Sequence, residues 1–395
     1  MRLLVIWAES LAKTSGGTTH FLGLMRALAQ VGHDVRVVCP LYAGQTLIEA
    51  GGLDIRPVRL RQRGAVNFAL FQALTILCLP VWLRRHKPQA VYVRACFLAG
   101  PMAAIARACG VPLVAEMDSI VDQEILMRGW PRAAAAVSAG LDYVNNRLCS
   151  GLVCVTEGIR AEMIRRGARR DRTVAVPNGA STDVFAPGDQ AGARAALNLP
   201  KGAAVFGFAG SLAPWQGLDL LVSAARCLKG QTDAPFVVAV MGDGAAKAPL
   251  LAAVGQADLG ERVMLLEAGD HQRVKTFFQA CDALVVPIHD PRKLRYGLSV
   301  LKFWDGLAAG LPVLVPRGCE LGPPLKDLGV PGEYEPGSAS DLAGTMGDVM
   351  RRLPQLRSRR QEIHQRVAAK YSWDATARRT AEFLDGLVGA GGEVR

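Results

Sequence analysis

The chain has 395 residues, half of them hydrophobic, with 42 glycines and a net charge of +11, which suits two globular domains and excludes a disordered polymer. No nucleic-acid module accompanies the charge, so nucleic acid is excluded as a partner; phosphorylated small molecules, an anionic membrane surface and plain solvation remain. Nine cysteines without a CxxC pair argue against a zinc site or a disulfide framework and for a reducing cytoplasm.

Residues 2–8 are an aliphatic run, too short and too soon followed by Glu9 to read as a secretory leader. The run leads into SLAKTSGGTTH, Ser10 to His20, and an amphipathic segment from Phe21 to Val31. Strand, glycine-rich loop and helix make the opening unit of a Rossmann-like domain. Gly16 and Gly17 let the backbone approach a ligand, and the helix N-terminus favours negative charge by about 0.3–1 kcal/mol; a tight turn without a ligand reads equally well. A second strand follows in GHDVRVVCP, with His33 as a turn residue.

From Ala65 to Leu83 no residue is charged, and Arg61, Arg63, Arg84, Arg85 and Lys87 flank the run. As a helix it spans roughly 28 Å, close to one bilayer core. The strand Ala90 to Arg94 belongs to the same sheet as those before it, so the run is expected to cross over and return rather than span. Asn67, Gln72 and Thr75 give it a polar side. A buried helix is the first reading, and an interfacial helix touching a membrane or a lipid-linked acceptor is the second.

A helix from Pro101 leads to the strand Val111 to Ser119, which ends on Glu116 and Asp118, at the edge where such sheets keep their sites. Capping of the next helix is the competing reading for Asp118. An alanine-rich helical region, a strand from Ser150 to Glu157 and the exit strand in TVAVPNGASTDVFAP follow, and the polar stretch Gly188 to Gly202 reads as a linker.

The second half opens on AAVFGFAGSLAPWQGLDLL, a buried strand ending in Gly210 and Ser211, with Gly217 ahead of a helix: a second phosphate seat. Phe236 to Gly244 is a strand ending in GDG, and further parallel strands start at Arg262 and Cys281. The basic loop HDPRKLR, His289 to Arg295, precedes YGLSVLKFWDGLAAGLPVLVP. In that stretch Gly297 and Ser299 are expected to open a helix, with Lys302 and Asp305 on one face. An anion seat, a cation and a carboxylate suit a nucleotide sugar.

The run Ser299 to Val313, SVLKFWDGLAAGLPV, resembles the donor-site signature of family 4 of the retaining glycosyltransferases. That resemblance implies an α/β fold of the GT-B kind, two facing Rossmann-like domains. Residues 1–185 would form the acceptor domain, 186–370 the donor domain, and 371–395 a helix returning to the first. Asp305 takes the place of the glutamate that holds the ribose hydroxyls; a second glutamate of the family is Gly297 here. The run Pro177 to Phe185 resembles the family's cleft edge, with Asn178 and Gly179 matching.

In the family an Arg and a Lys clamp the donor diphosphate where this chain has Ser211 and Gln216, and Lys293, Arg295 and Lys302 are the nearest substitutes. The implied donor-binding set is Gly210, Ser211, Gln216, Gly217, Gly242, Lys293, Arg295, Leu298, Ser299, Lys302 and Asp305. Glu116 and Asp118 are the implied catalytic pair, with Gly16 and Gly17 as the phosphate or acceptor loop. The implied activity is retaining transfer of a sugar from a nucleotide-diphosphate donor to a glycan or lipid-linked acceptor, in the cytoplasm or at the inner face of its membrane, with neither cofactor nor metal. A nucleotide-sugar epimerase of similar fold and a non-catalytic partner of another transferase stay open as alternatives.

Overall fold

The computed structural model describes residues 1–13, 15–94 and 96–392; Thr14 of the glycine loop and residues 393–395 of the expected tail lie outside them. The chain divides into two compact units. The first comprises Met1–Gly179 and the stretch from Trp373, and the second is Ala180–Ser372.

The first unit runs β1 (Arg2–Trp7), α1 (Gly16–Gln30), β2 (Asp34–Tyr42), β3 (Asp54–Leu60), α2 (Ala65–His86) and β4 (Ala90–Arg94). It continues with α3 (Ala99–Ala108), β5 (Leu113–Met117), α4 (Val121–Met127), α5 (Arg132–Leu148), β6 (Gly151–Cys154), α6 (Glu157–Arg165) and β7 (Thr173–Ala175). All seven strands are parallel, in the order β3-β2-β1-β4-β5-β6-β7. Their almost unbroken apolar runs, such as Leu3 to Trp7, are what a sheet covered on both faces requires. The order reverses between β1 and β4, and a sheet of this kind binds its ligands outside the carboxyl ends of the strands at that point.

The second unit runs α7 (Gln190–Ala196), β8 (Ala204–Ala209), α8 (Leu218–Lys229), β9 (Phe236–Met241), α9 (Lys247–Gln256), β10 (Val263–Leu266), α10 (His271–Ala280) and β11 (Ala283–Val285). Then come α11 (Pro291–Leu294), α12 (Leu301–Ala308), β12 (Val313–Pro316), α13 (Gly322–Leu328), β13 (Glu333–Tyr334), α14 (Ala339–Arg351), α15 (Leu353–Ser358) and α16 (Arg360–Tyr371). Its six parallel strands lie in the order β10-β9-β8-β11-β12-β13, reversing between β8 and β11.

The final helix, α17 (Trp373–Gly392), packs on α1 in the first unit. Gly23 makes this fit: a Cβ there would lie 2.5 Å from the Trp373 ring. The run PNGASTDVF divides after Gly179, because Phe185 packs on Phe278 of the second unit at 5.1 Å. The stretch 188–202, expected as a linker, folds instead as part of the second unit. Arg194 of α7 is buried, donating to Asp282 at 2.6 Å and to the carbonyls of Lys201 and Ala203.

The run 65–83 is a crossover helix, and its expected burial is corrected. Gln72 and Thr75 turn inward while Val66 is 80% and Leu77 73% exposed. Gln72 faces the protein because its amide oxygen accepts from the Leu98 N–H there.

Candidate functional site

In the first unit the chemistry gathers at the reversal point. Ser15 caps α1, its Oγ accepting from the Thr18 N–H at 3.1 Å, and one turn in this sets His20 beneath the loop that follows β1. His20 is buried, with Nε2 2.5 Å from Glu116 Oε1 and Nδ1 2.5 Å from Asn178 Oδ1. The Trp373 ring stands edge-on to it at 5.4 Å.

Arg94, the last residue of β4, is the second organiser. Its buried guanidinium donates to Asp118 Oδ2 at 2.5 Å and to the Gly17 carbonyl at 3.0 Å. It also lies 3.4 Å from Glu116 Oε2 and 4.7 Å from the centre of the Trp7 ring. The structure thus brings Gly17, Glu116, Asp118 and Asn178 into one cluster. Gly16 is the exposed first residue of α1, outside it.

The two carboxylates differ. Burial opposes the charge on each, yet for Glu116 the neighbouring His20 and Arg94 outweigh it, and for Asp118 Arg94 and then His20 do, so both stay below the usual carboxylate range. The Glu116 side chain is 2% exposed and the Asp118 side chain 48%. Glu116 is therefore committed to holding the cluster, and Asp118 is the carboxylate open to a ligand. Asp118 does not cap α4, whose N-cap position is Ile120.

His20 and Arg94 were not among the expected site residues. Each carried a signal: His20 ends the motif-bearing segment GGTTH, and Arg94 is a charge closing the otherwise apolar strand AVYVR.

In the second unit the site forms on backbone. Gly210 follows β8 at φ 140°, and Gly217 precedes α8 at φ 75°. A Cβ on Gly217 would lie 1.9 Å from the Pro287 carbonyl oxygen, and one on Gly242 the same distance from the Gly210 carbonyl oxygen. Leu212 N–H donates to Asp243 O at 2.9 Å, so the loops after β8 and β9 are joined directly. No side chain fits in these places without opening the loops.

Onto this backbone seat α12 brings Lys302. Its Nζ donates to Gln216 Oε1 at 3.1 Å and lies 3.7 Å from the centre of the Phe208 ring. Burial pushes the ammonium down to about 7. A cation from another helix thus stands at residue 216, and Ser211 is exposed.

Other expected residues fall elsewhere. Helix α12 begins at Leu301, so Ser299 and Gly297 precede it rather than opening it; Gly297 has φ 80° and its N–H donates to the Leu294 carbonyl at 3.1 Å, which closes the turn after the short α11 segment. The Leu298 side chain belongs to the core. Arg295 lies over the Tyr296 ring at 5.4 Å, and Lys293 sits in α11. Asp305 is buried, with Oδ1 accepting from the Ser181 N–H at 3.0 Å. Burial raises its carboxyl to about 7 against the opposing pull of that bond.

Residues 15–179 match the family model described as a glycosyl transferase 4-like domain, and residues 189–321 the one described as glycosyl transferases group 1. D-inositol 3-phosphate glycosyltransferase 2 of Catenulispora acidiphila is 29% identical over 291 residues, covering 69% of this chain and 65% of that protein. The D-inositol 3-phosphate glycosyltransferase of Mycolicibacterium smegmatis is 29% identical over 53% of this chain and 46% of its own. The chain therefore spans less than two thirds of these curated relatives.

Among solved structures, sucrose-phosphate synthase from Thermosynechococcus elongatus has a TM-score of 0.74 at 17% identity, covering 99% of this chain and 100% of its own. Anabaena HepE in complex with UDP and glucose has a TM-score of 0.73 at 16% identity, covering 98% and 100%. These likenesses show the fold, the expected GT-B fold with two Rossmann-like domains.

Proposed function

The chain belongs to family 4 of the glycosyltransferases, the group 1 transferases, and from that premise we propose that it moves a sugar from a nucleotide-diphosphate donor to a glycan or lipid-linked acceptor. Transfer is retaining, metal-independent and cytoplasmic. The observation that carries this reading is Lys302 at the Gly210–Gln216 loop, because a leaving diphosphate needs a cation beside a backbone that can approach it closely.

Neutralisation is coupled to arrival of the ligand. Burial depresses Lys302 in the free protein, and a diphosphate beside it favours the charged form. In the first unit Asp118, kept ionised by Arg94, offers negative charge to the positive charge that develops at an anomeric carbon. Glu116 and His20 hold that arrangement in place. HepE was solved with UDP and glucose, and the relatives named above are glycosyltransferases, which support a transferase; nothing in the comparisons supports an epimerase.

Calorimetric titration with UDP, GDP and ADP, repeated on Lys302→Met, tests the proposal. One nucleotide should bind and weaken tenfold or more in the variant. Binding of none sinks the reading and favours a non-catalytic partner. Turnover of donor without acceptor favours an epimerase, and activity lost to EDTA and restored by magnesium removes metal independence.

A further inference from the structure

Two helices of the first unit carry apolar side chains on their solvent faces. Helix α2 buries Phe71, Gln72, Thr75, Leu79 and Leu83 and exposes Val66, Leu70, Leu77 and Val81. These four recur at spacings of 4, 7 and 4 residues, which puts them within about 60° of one another around the helix. Helix α5 buries Ser138, Asp142, Asn145 and Asn146 and exposes Val137, Tyr143 and Val144.

The buried polar groups act as fasteners. The Gln72 amide oxygen accepts from the Leu98 N–H at 2.9 Å. Asn145 accepts from the Gly100 N–H at 2.7 Å and donates to the Phe97 carbonyl at 3.0 Å. Both helices are thereby tied to the start of α3, which packs against each of them, so the three share one layer on one side of the sheet. Asp142 accepts from Arg166 at 3.1 Å. Leaving such stripes in water forfeits apolar burial. The outer face is adapted to an apolar neighbour.

Charge says which neighbour. Between Asp54 and Glu116 there is neither Asp nor Glu, and the one acid of α5 is the buried Asp142. Exposed Arg61 and Arg63 lead into α2, and Arg84, Arg85 and Lys87 end it. At the turn into α5, Trp130 is 59% exposed between Arg128 and Arg132. A second copy of this face would meet like charge. An apolar stripe framed by basic residues complements the anionic headgroups and acyl boundary of a bilayer surface.

Helix α2 has the length and composition of a membrane span, with 28% of its most apolar window buried. Its two ends nevertheless feed β3 and β4 of one sheet, so it lies along a surface instead of crossing it. We propose that the outward faces of α2 and α5 form a docking surface for an anionic lipid bilayer, with the apolar stripe at the acyl boundary and the flanking arginines on the headgroups.

The test is co-sedimentation of the full chain with vesicles of phosphatidylglycerol and phosphatidylcholine, against phosphatidylcholine alone. Binding to the anionic vesicles should be at least tenfold tighter and weaken with salt. Exchanging Val66, Leu70, Leu77 and Val81 together for Gln should reduce it tenfold or more with thermal unfolding unchanged, and Arg84→Gln with Arg85→Gln should reduce it severalfold. Leu77→Gln alone, expected to cost about threefold, keeps the question open to a result if the fourfold variant fails to fold. No binding by the natural chain, or binding indifferent to these changes, overturns the proposal. So does a dimer in solution that the fourfold variant disperses, which would make a second copy the occupant.

Discussion

Lys302 and Gln216 lie 3.1 Å apart, amine to amide oxygen, although 86 residues separate them in the chain. The bond makes a basic helix residue part of a loop that has no basic residue of its own at 211 or 216. Gln216→Lys in the Lys302→Met background should therefore recover most of the nucleotide affinity that Lys302→Met removes. Titration of the natural protein, the single variant and the pair checks this, and a pair no better than the single variant refutes it.

Affinity should also depend on pH. The free ammonium sits at about 7 and a bound diphosphate raises it, so binding is full below pH 7. It should fall by up to tenfold per pH unit as pH rises from 7 toward the bound-state value. Titrations between pH 6.5 and 9, in two buffers of different ionisation enthalpy, should show proton uptake that disappears in Lys302→Met.

Asp305 titrates in the other direction. Its folded carboxyl is raised to about 7 against about 3.9 unfolded, so the folded state holds the proton longer. Stability from this group is full below pH 4 and declines as pH rises to 7. Each pKa unit is worth about 1.4 kcal/mol, an upper limit of a few kcal/mol in all. Asp305→Asn keeps an oxygen for the Ser181 N–H and should flatten that decline, read as urea midpoints at pH 5 and 8.

The Glu116 and Asp118 carboxylates should separate cleanly in mutation. Glu116→Ala leaves buried Arg94 with one carboxylate fewer and His20 without its partner, and should cost about 3–5 kcal/mol of stability. Asp118→Asn keeps an acceptor for Arg94 at the open edge, so it should cost less stability than Glu116→Ala and lower kcat by tenfold or more. Equal losses of stability in both variants would remove the distinction.

The fold was legible because its signals are local. Continuous apolar strands, glycine loops at their ends and helical spacing after them fix a pair of parallel sheets, and the run Ser299 to Val313 identified the family. Residues acting across the sequence were harder to see. His20 finds Glu116 at a separation of 96 residues and Asn178 at 158, and no spacing rule joins a helix, a strand end and a loop. Lys302 was marked as a candidate from its helix, whereas its meeting with Gln216 depends on how β8 and α12 stack. Apolar periodicity running through Leu298 extends the apparent helix back over Ser299 and Gly297, and periodicity is blind to the break that a glycine at φ 80° makes. In α2 the apolar outer face follows from the composition, whereas the inward turn of Gln72 depends on its partner at Leu98, 26 residues away.

The packing of Gly217 on Pro287 and of Gly242 on Gly210 has a bearing on how such a chain can change over time. Contacts between main-chain atoms hold the seat's outline, so residues 211 and 216 are at liberty to be exchanged without redrawing it. Shape is inherited from one set of positions and charge from another. Substitutions at 211 and 216 can therefore retune the charge of the receptacle while its dimensions stay as the glycines set them.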